Sequence, residues 1–287
     1  MATIKPIFLL ADSQLLFWRE DDGKPFLERA RDLIAEDEPD KAIQAAYLGA
    51  ANGDVREFYD LFVGAMAEIG IRDRDCRMIP ASPSAEDLAF LETADLILLA
   101  GGDVRRGWEA FRAAGLNDKL VERYYAGALL LGVSAGAVQL GLKGWDEDGG
   151  DLFDTLRLVP FVIDAHDEPS WAGLNRAVGL AGEHARGIGL PSGGGALYHP
   201  DHSLEPIRRP LTEIDVREGG EGGEGEQKPH QALLFPGEQQ EAPPAEPAGP
   251  SPIVQELLRD GTIVLQPDYQ VHPATDAAPD PDEDTVN

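Results

Sequence analysis

The chain has 287 residues, 43% of them apolar, which is enough to bury a sizeable core in one large domain or two small ones. It carries 52 acidic and 24 basic residues, and the resulting formal net charge of −28 disfavours nucleic acid and anionic membranes as partners. The single cysteine, Cys76, excludes an internal disulfide framework. The first residues lack the apolar stretch of a signal peptide, so we expect a cytoplasmic protein.

Strand and helix signals alternate over the first two hundred residues. Continuous apolar runs predict buried strands at 5–10, 45–49, 77–79, 95–100, 128–133 and 158–163. Amphipathic spacing predicts helices at 25–36, 55–69, 105–114 and 117–125, and a further helix opens at Ser134. Apolar strands separated by helices indicate an α/β fold, a three-layer sandwich in which helices cover both faces of a mostly parallel sheet.

The composition changes along the last third of the chain. Residues 1–217 are predicted to form the α/β domain, and the Glu, Gly and Pro-rich stretch 218–250 a flexible acidic insertion. Residues 251–272 have the pattern of a short helix and a strand that return to the domain. Residues 273–287 are acidic and rich in proline, which is typical of a disordered tail.

Four residues suited to a functional site follow predicted strands directly. They are Gly49, Gly101, Ser134 and His166. In a parallel sheet, functional residues gather beyond the carboxyl ends of the strands. We therefore expect these positions to meet at one edge of a single sheet.

The segment around Ser134 has the pattern Gly-x-Ser-x-Gly, from Gly132 to Gly136, between an apolar strand and a helix. A nucleophile at such a sharp turn needs small neighbours, because its backbone is strained and the strand and helix approach closely. The alternative is that Ser134 only caps the helix. A hydroxyl at the start of a helix would also lie beside backbone N–H groups that suit a developing oxyanion.

The oxyanion hole is assigned to the N–H groups of Gly102 and Ala135. Gly102 follows a buried strand, and a glycine there exposes its N–H to a substrate without a side chain in the way. The alternative for Gly102 is an ordinary glycine of a strand-to-helix turn.

A serine nucleophile needs a base, and His166 is the candidate. Of six histidines, it alone follows a buried strand near Ser134, although a structural role is the alternative. No spacing argument selects the acid that would orient it. The acidic residues between or beside the two are Asp146, Asp148, Asp151, Asp154, Asp164, Asp167 and Glu168.

The segments AYLGAANGD, LLAGGD, GVSAGA and LVPFVIDAH, in this order, resemble dipeptidase E and the cyanophycinases over about residues 5–200. The resemblance implies the fold of the class I glutamine amidotransferases, with serine in place of cysteine at the elbow, the sharp turn between strand and helix that carries the nucleophile. It implies Ser134 as nucleophile and His166 as base. It favours Asp146 or Asp148 as the third member, since the family's aspartate lies in the loop after the serine helix.

The chain departs from that family at two places. Asp167 follows the histidine where cyanophycinases have phenylalanine, and the arginines expected next are replaced by Ser170, Ala172 and Asn175. The family's acidic residue after the Gly-Ile-Gly strand is absent, and Ser192 begins a glycine run there. We therefore expect little degradation of cyanophycin.

The expected function is that of a serine peptidase or amidase acting on a small peptide or an amino-acid amide. A non-catalytic relative that keeps the pocket for binding or regulation is one alternative, and an α/β-hydrolase esterase is another. We expect no metal ion, no other cofactor and no nucleic-acid or membrane partner. A small peptide is the expected substrate, and the sequence is compatible with a homodimer.

Overall fold

The computed structural model describes residues 3–36, 41–146, 151–167 and 169–215, together with the backbone of three short strands beyond them. The helices are α1 Glu28–Ala35, α2 Arg56–Glu68, α3 Ala85–Leu91, α4 Val104–Ala113, α5 Leu116–Tyr125, α6 Ala135–Leu140 and α7 Ala172–Ala181. The strands up to the active-site histidine candidate are β1 Ile7–Leu10, β2 Ala45–Leu48, β3 Cys76–Ile79, β4 Leu96–Leu99, β5 Leu129–Val133, β6 Lys143–Gly144, β7 Phe153–Asp154 and β8 Val162–Ala165. The later strands are β9 Arg186–Leu190, β10 Gly195–Tyr198, β11 Leu204–Ile207, β12 Thr212–Asp215, β13 Lys228–Pro229, β14 Ile263–Leu265 and β15 Val271–Pro273.

The central sheet has seven strands in the order β11-β10-β1-β5-β4-β2-β3. The five strands from β1 to β3 in this order are parallel, and β10 and β11 extend the sheet by antiparallel pairing. Side chains of β1, β2, β4 and β5 are buried without exception, which explains their continuous apolar runs.

Successive side chains of each inner strand enter opposite cores. On one face Leu10 packs in a cluster with Phe62 of α2, and on the other Leu9 belongs to a cluster with Trp108 of α4. Each large apolar side chain buried in this way contributes about 1.5–3 kcal/mol to the free energy of folding. The expected three-layer α/β architecture is thereby confirmed.

A second sheet, in the order β13-β12-β9-β8, shares no strand pairing with the central sheet. Helix α7 covers it through Leu174 and Val178, which cluster with Val162 of β8 and with Trp171, the residue before the helix. The expectation that the strand before His166 lies in the same sheet as Ser134 is therefore wrong. The reason is topological, because both neighbours of β5 in the central sheet are already taken by β1 and β4.

Most predicted elements are present with ends shifted by one to three residues. The strand predicted at 158–163 begins only at Val162, after Pro160, which lacks the N–H that a ladder needs. Helix α3 was not predicted, although Ser84 and Asp87 form a capping box at its start.

Beyond residue 215 the structure describes the backbone of only β13, β14 and β15. β13 pairs with β12, and β14 pairs with β15. The remainder of the predicted insertion, returning segment and tail lies outside the described residues, so those boundaries stay predictions. Within the described residues, no helix has the length and apolar character to cross a bilayer.

Candidate active site

Ser134 sits at a strained turn between β5 and α6. Its backbone has φ 49° and ψ −111°, a conformation that side-chain-bearing residues rarely adopt and that the surrounding fold must impose. Its N–H donates to the carbonyl oxygen of Leu10 in β1 at 2.9 Å, which fixes the turn against the neighbouring strand. Its hydroxyl makes no capping hydrogen bond to α6, so the side chain of Ser134 does not cap this helix.

The two glycines of the pattern are required by the packing of this turn. A Cβ on Gly132 would lie 2.6 Å from the backbone nitrogen of Ala137, closer than non-bonded atoms approach. A Cβ on Gly136 would overlap the carbonyl oxygen of Leu99 in β4. The pattern therefore has the steric origin expected of a nucleophile elbow.

His166 meets Ser134 across the gap between the two sheets. Ser134 Oγ and His166 Nε2 are 2.9 Å apart, a hydrogen-bond distance. The histidine follows β8 directly, with φ 51°, and its N–H donates to the carbonyl oxygen of Leu190 at 2.9 Å. The imidazole, which extends from the end of β8 in the second sheet, therefore lies at the carboxyl edge of the central sheet.

The turn after β4 lies beside the serine. A Cβ on Gly101 would be 3.4 Å from the Cβ of Ser134. Gly102 has φ 130°, and a Cβ there would overlap the carbonyl oxygen of Ala51 in the turn after β2. Packing alone therefore requires glycine at position 102, and the oxyanion role of its N–H remains a proposal.

Asp146 is placed against Arg105 of α4. Its carboxylate forms an ion pair with the guanidinium Nε, and the same guanidinium lies 4.5 Å from the ring centre of Phe153. The structure gives Asp146 this cationic partner, and it records no contact of Asp146 with His166. Its assignment as the third member stays a prediction without geometric support.

The other acidic candidates divide by location. Asp154 pairs with Lys143, and the backbone carbonyl of Asp151 accepts from Arg105. Asp148 and Glu168 lie outside the described residues.

Asp164 and Asp167 flank His166 and converge on the start of α7. A Cβ at Gly173 would lie 3.6 Å from Asp164 Oδ2 and 3.8 Å from Asp167 Oδ2, so both carboxylates approach this glycine. Burial, with the neighbouring charge of Asp167, raises the pKa of Asp164 to about 6. The surroundings of Asp164 thus disfavour its charged form.

A cavity of about 770 Å³ opens at the carboxyl edge of the sheet beside Gly102. Its polar lining includes Arg105, Arg106, Glu109 and Asp146, with Trp145 among its walls. Ser134 and His166 are not among its lining residues, and Gly102 is the lining residue that follows Gly101, the glycine packed beside the serine turn. Such mixed charge can bind a small molecule that itself carries charges of both signs. No group of three or more metal-binding side chains occurs among the residues described.

Asp12 is a residue of this edge that the sequence reasoning missed. It follows β1, it is only 6% exposed, and its carboxylate experiences the charge of His166. Asp12 comes two residues after the end of a predicted buried strand, and its hydrogen bond to Gly193 depends on the folded arrangement.

Comparison with known proteins identifies a peptidase family. The sequence profile described as peptidase family S51 matches residues 15–184. Peptidase E of Streptomyces coelicolor is 29% identical over 149 residues, which cover 50% of this chain and 59% of that protein. Peptidase E of Salmonella gallinarum is 28% identical over 170 residues, covering 56% of this chain and 66% of the relative. The match thus spans less than two thirds of the length of either relative.

A solved structure supports the fold. The crystal structure of a peptidase from an acI-B1 Actinobacterium superposes with a TM-score of 0.56 at 15% identity, covering 79% of this chain and 94% of that one. At this identity the likeness concerns the fold alone. Since the family profile covers more than half of the chain, this protein belongs to peptidase family S51.

Proposed function

We propose that this protein is a serine peptidase that cleaves a small peptide or an amino-acid amide through an acyl-enzyme on Ser134. The observation that carries the proposal is the 2.9 Å approach of Ser134 Oγ to His166 Nε2 at a strained strand-to-helix turn. A hydroxyl is a weak nucleophile, and an adjacent imidazole is the usual means of removing its proton during attack.

The proposed reaction has two halves. In the first, His166 Nε2 takes the proton of Ser134, Oγ attacks the substrate carbonyl, and the returned proton leaves with the amine. In the second, water attacks the acyl-enzyme with the same histidine as base, and Ser134 is restored as the acid product leaves. The developing oxyanion would accept hydrogen bonds from the N–H groups of Gly102 and Ala135.

The cavity beside Gly102 supports a small, charged substrate. Its lining holds the guanidinium groups of Arg105 and Arg106 and the carboxylates of Glu109 and Asp146. A short peptide with a free amino and a free carboxyl group presents both charges. A volume of about 770 Å³ is of the size that holds such a ligand.

The test compares two serines of this chain. Ser134→Ala should abolish hydrolysis of a dipeptide and amino-acid amide panel without loss of a helix cap, since the hydroxyl caps nothing. The control is Ser84→Ala, because Ser84 is a true cap that accepts from the N–H of Asp87. That variant should keep its activity and lose about 1 kcal/mol of stability.

Turnover by Ser134→Ala equal to that of the wild type would contradict the proposal. Absence of turnover in the wild type on every peptide and amide, with tight binding of the same compounds, would favour a non-catalytic relative. Hydrolysis of esters alone would favour an esterase.

A further inference from the structure

Asp12 is a buried carboxylate for which the reaction above gives no role. It is 6% exposed, and among the described residues it is the only acidic residue in the fully buried class. Burying a carboxylate is costly unless its oxygens accept hydrogen bonds. Asp12 Oδ1 accepts from the N–H of Gln14 at 2.9 Å, and Oδ2 accepts from the N–H of Gly193 at 2.5 Å.

These bonds place Asp12 between the two sheets that meet at the site. On its own side, Leu10 of β1 accepts the N–H of Ser134 at 2.9 Å. On the far side, Leu190 accepts the N–H of His166 at 2.9 Å, and Gly193 follows in the loop after β9. The Asp12 carboxylate therefore joins the end of β1, which supports the serine, to the loop that follows β9, the strand whose Leu190 supports the histidine.

Gly193 is held from both sides. Arg208 Nη1 donates to its carbonyl oxygen at 3.4 Å, while its N–H donates to Asp12. With φ 67°, this position suits glycine, so the loop can adopt the turn that reaches Asp12.

Several groups around Asp12 favour the charged form of its carboxylate. Burial raises the pKa of Asp12, and the N–H groups of Gly193 and Gln14 oppose that rise. The charge of Arg208, and that of His166 when its imidazole is protonated, also oppose the rise. Interactions between charges are mutual, so an ionised Asp12 carboxylate and an imidazolium at His166 attract each other.

We propose that Asp12 is a positioning residue for His166, which holds the loop after β9 in place and stabilises the imidazolium formed when Ser134 loses its proton. The inference rests on the proposed function and supplies the acidic partner that the sequence left open. It differs from the prediction for Asp146, whose carboxylate is engaged by Arg105. Asp12 itself exchanges no proton with the substrate.

The test uses Asp12→Asn, which retains an acceptor oxygen and removes the charge. The control is Asp201→Asn, because Asp201 also accepts the N–H two residues ahead, that of Ser203, but lies after β10 at the opposite edge of the sheet. In Asp12→Asn we expect kcat to fall at least about tenfold, since base catalysis contributes roughly 10²–10⁴-fold. KM should change little, and the acid limb of the kcat/KM profile should move about one unit to lower pH, because a nearby carboxylate favours the imidazolium.

A second measurement does not depend on turnover. In protein labelled with ¹³C-histidine, the imidazole of His166 should take up its proton at lower pH in Asp12→Asn than in the wild type or in Asp201→Asn. An unchanged titration would overturn the proposal even if the protein cleaves no peptide. A shifted titration without turnover in the wild type would instead reject only the proposed function.

The reverse experiment covers the case in which Asp12→Asn does not fold. With ¹³C-aspartate, the carboxyl of Asp12 is followed in His166→Ala, where the stabilising charge of the imidazolium is lost. Its pKa should rise further, by about one unit. An unchanged value would show that Asp12 and His166 are not coupled and would overturn the proposal.

Discussion

Asp164 lies in β8, two residues before His166, and its environment disfavours its charge. Oδ1 accepts the N–H of Ala165 at 2.9 Å, while the carboxylate of Asp167 faces it across Gly173. Burial, with the charge of Asp167, raises the pKa of Asp164 to about 6. Asp164→Asn would keep an acceptor for Ala165 and present an amide N–H₂ to Asp167. We therefore predict that the substitution stabilises the protein at neutral pH.

The magnitude follows from the pKa shift. The rise from 3.8 to about 6 is roughly two units, and each unit corresponds to about 1.4 kcal/mol. Between these values the folded state holds more protons than the unfolded state, so the free energy of unfolding falls as pH rises through this range. Above about pH 6 the wild type bears the full penalty, and we expect Asp164→Asn to be more stable by about 1–3 kcal/mol.

The assay is equilibrium unfolding in urea at about pH 7.5 and about pH 4, the two sides of the titration. The advantage of Asp164→Asn should be present at the higher pH and nearly absent at the lower. Asp154→Asn serves as control, because Asp154 is exposed on β7 and pairs with Lys143. Equal stability of wild type and Asp164→Asn at the higher pH, or the same difference at both, would refute the reasoning.

Three further predictions concern the elbow and its base. Ser134→Gly should abolish hydrolysis yet raise the free energy of unfolding by about 1 kcal/mol or more, because glycine relieves the strain of φ 49°; chemical denaturation showing no gain would mean that the turn is unstrained. Gly136→Ala should destabilise the protein by several kcal/mol (about 2–4), since its Cβ would overlap the Leu99 carbonyl, and an unchanged melting temperature would contradict this packing. His166→Ala should lower turnover nearly as much as Ser134→Ala, and the double variant should be no worse, whereas multiplying losses in steady-state kinetics would show that the two residues act separately.

The central sheet was predictable because its strands are buried on both faces. Runs such as Leu129–Val133 have no polar side chain, and their spacing between helical segments permits little except a parallel sheet. The Gly-x-Ser-x-Gly pattern located the elbow for a steric reason that the structure reproduces at Gly132 and Gly136. The site residues that follow from local geometry were therefore within reach of the sequence.

The second sheet, and the contacts of Asp146 and Asp12, could not be predicted from the sequence. Local pattern indicates that a strand precedes His166, but it does not say which sheet the strand joins, since that depends on which edges are already paired. Asp146 was favoured by its place in the chain, and its ion pair with Arg105 depends on how α4 packs. Asp12 is distant in sequence from both Ser134 and His166, and only the folded arrangement brings its carboxylate to the loop at Gly193.

The most direct test of the account is covalent trapping of the nucleophile. Intact protein is treated with a fluorophosphonate, and the modified residue is mapped by mass spectrometry in the wild type and in His166→Ala. We predict a single adduct on Ser134 that forms far more slowly without the histidine, because the imidazole removes the hydroxyl proton. An adduct on another residue, or equal rates in the two proteins, would contradict the assignment of Ser134 and His166 as nucleophile and base.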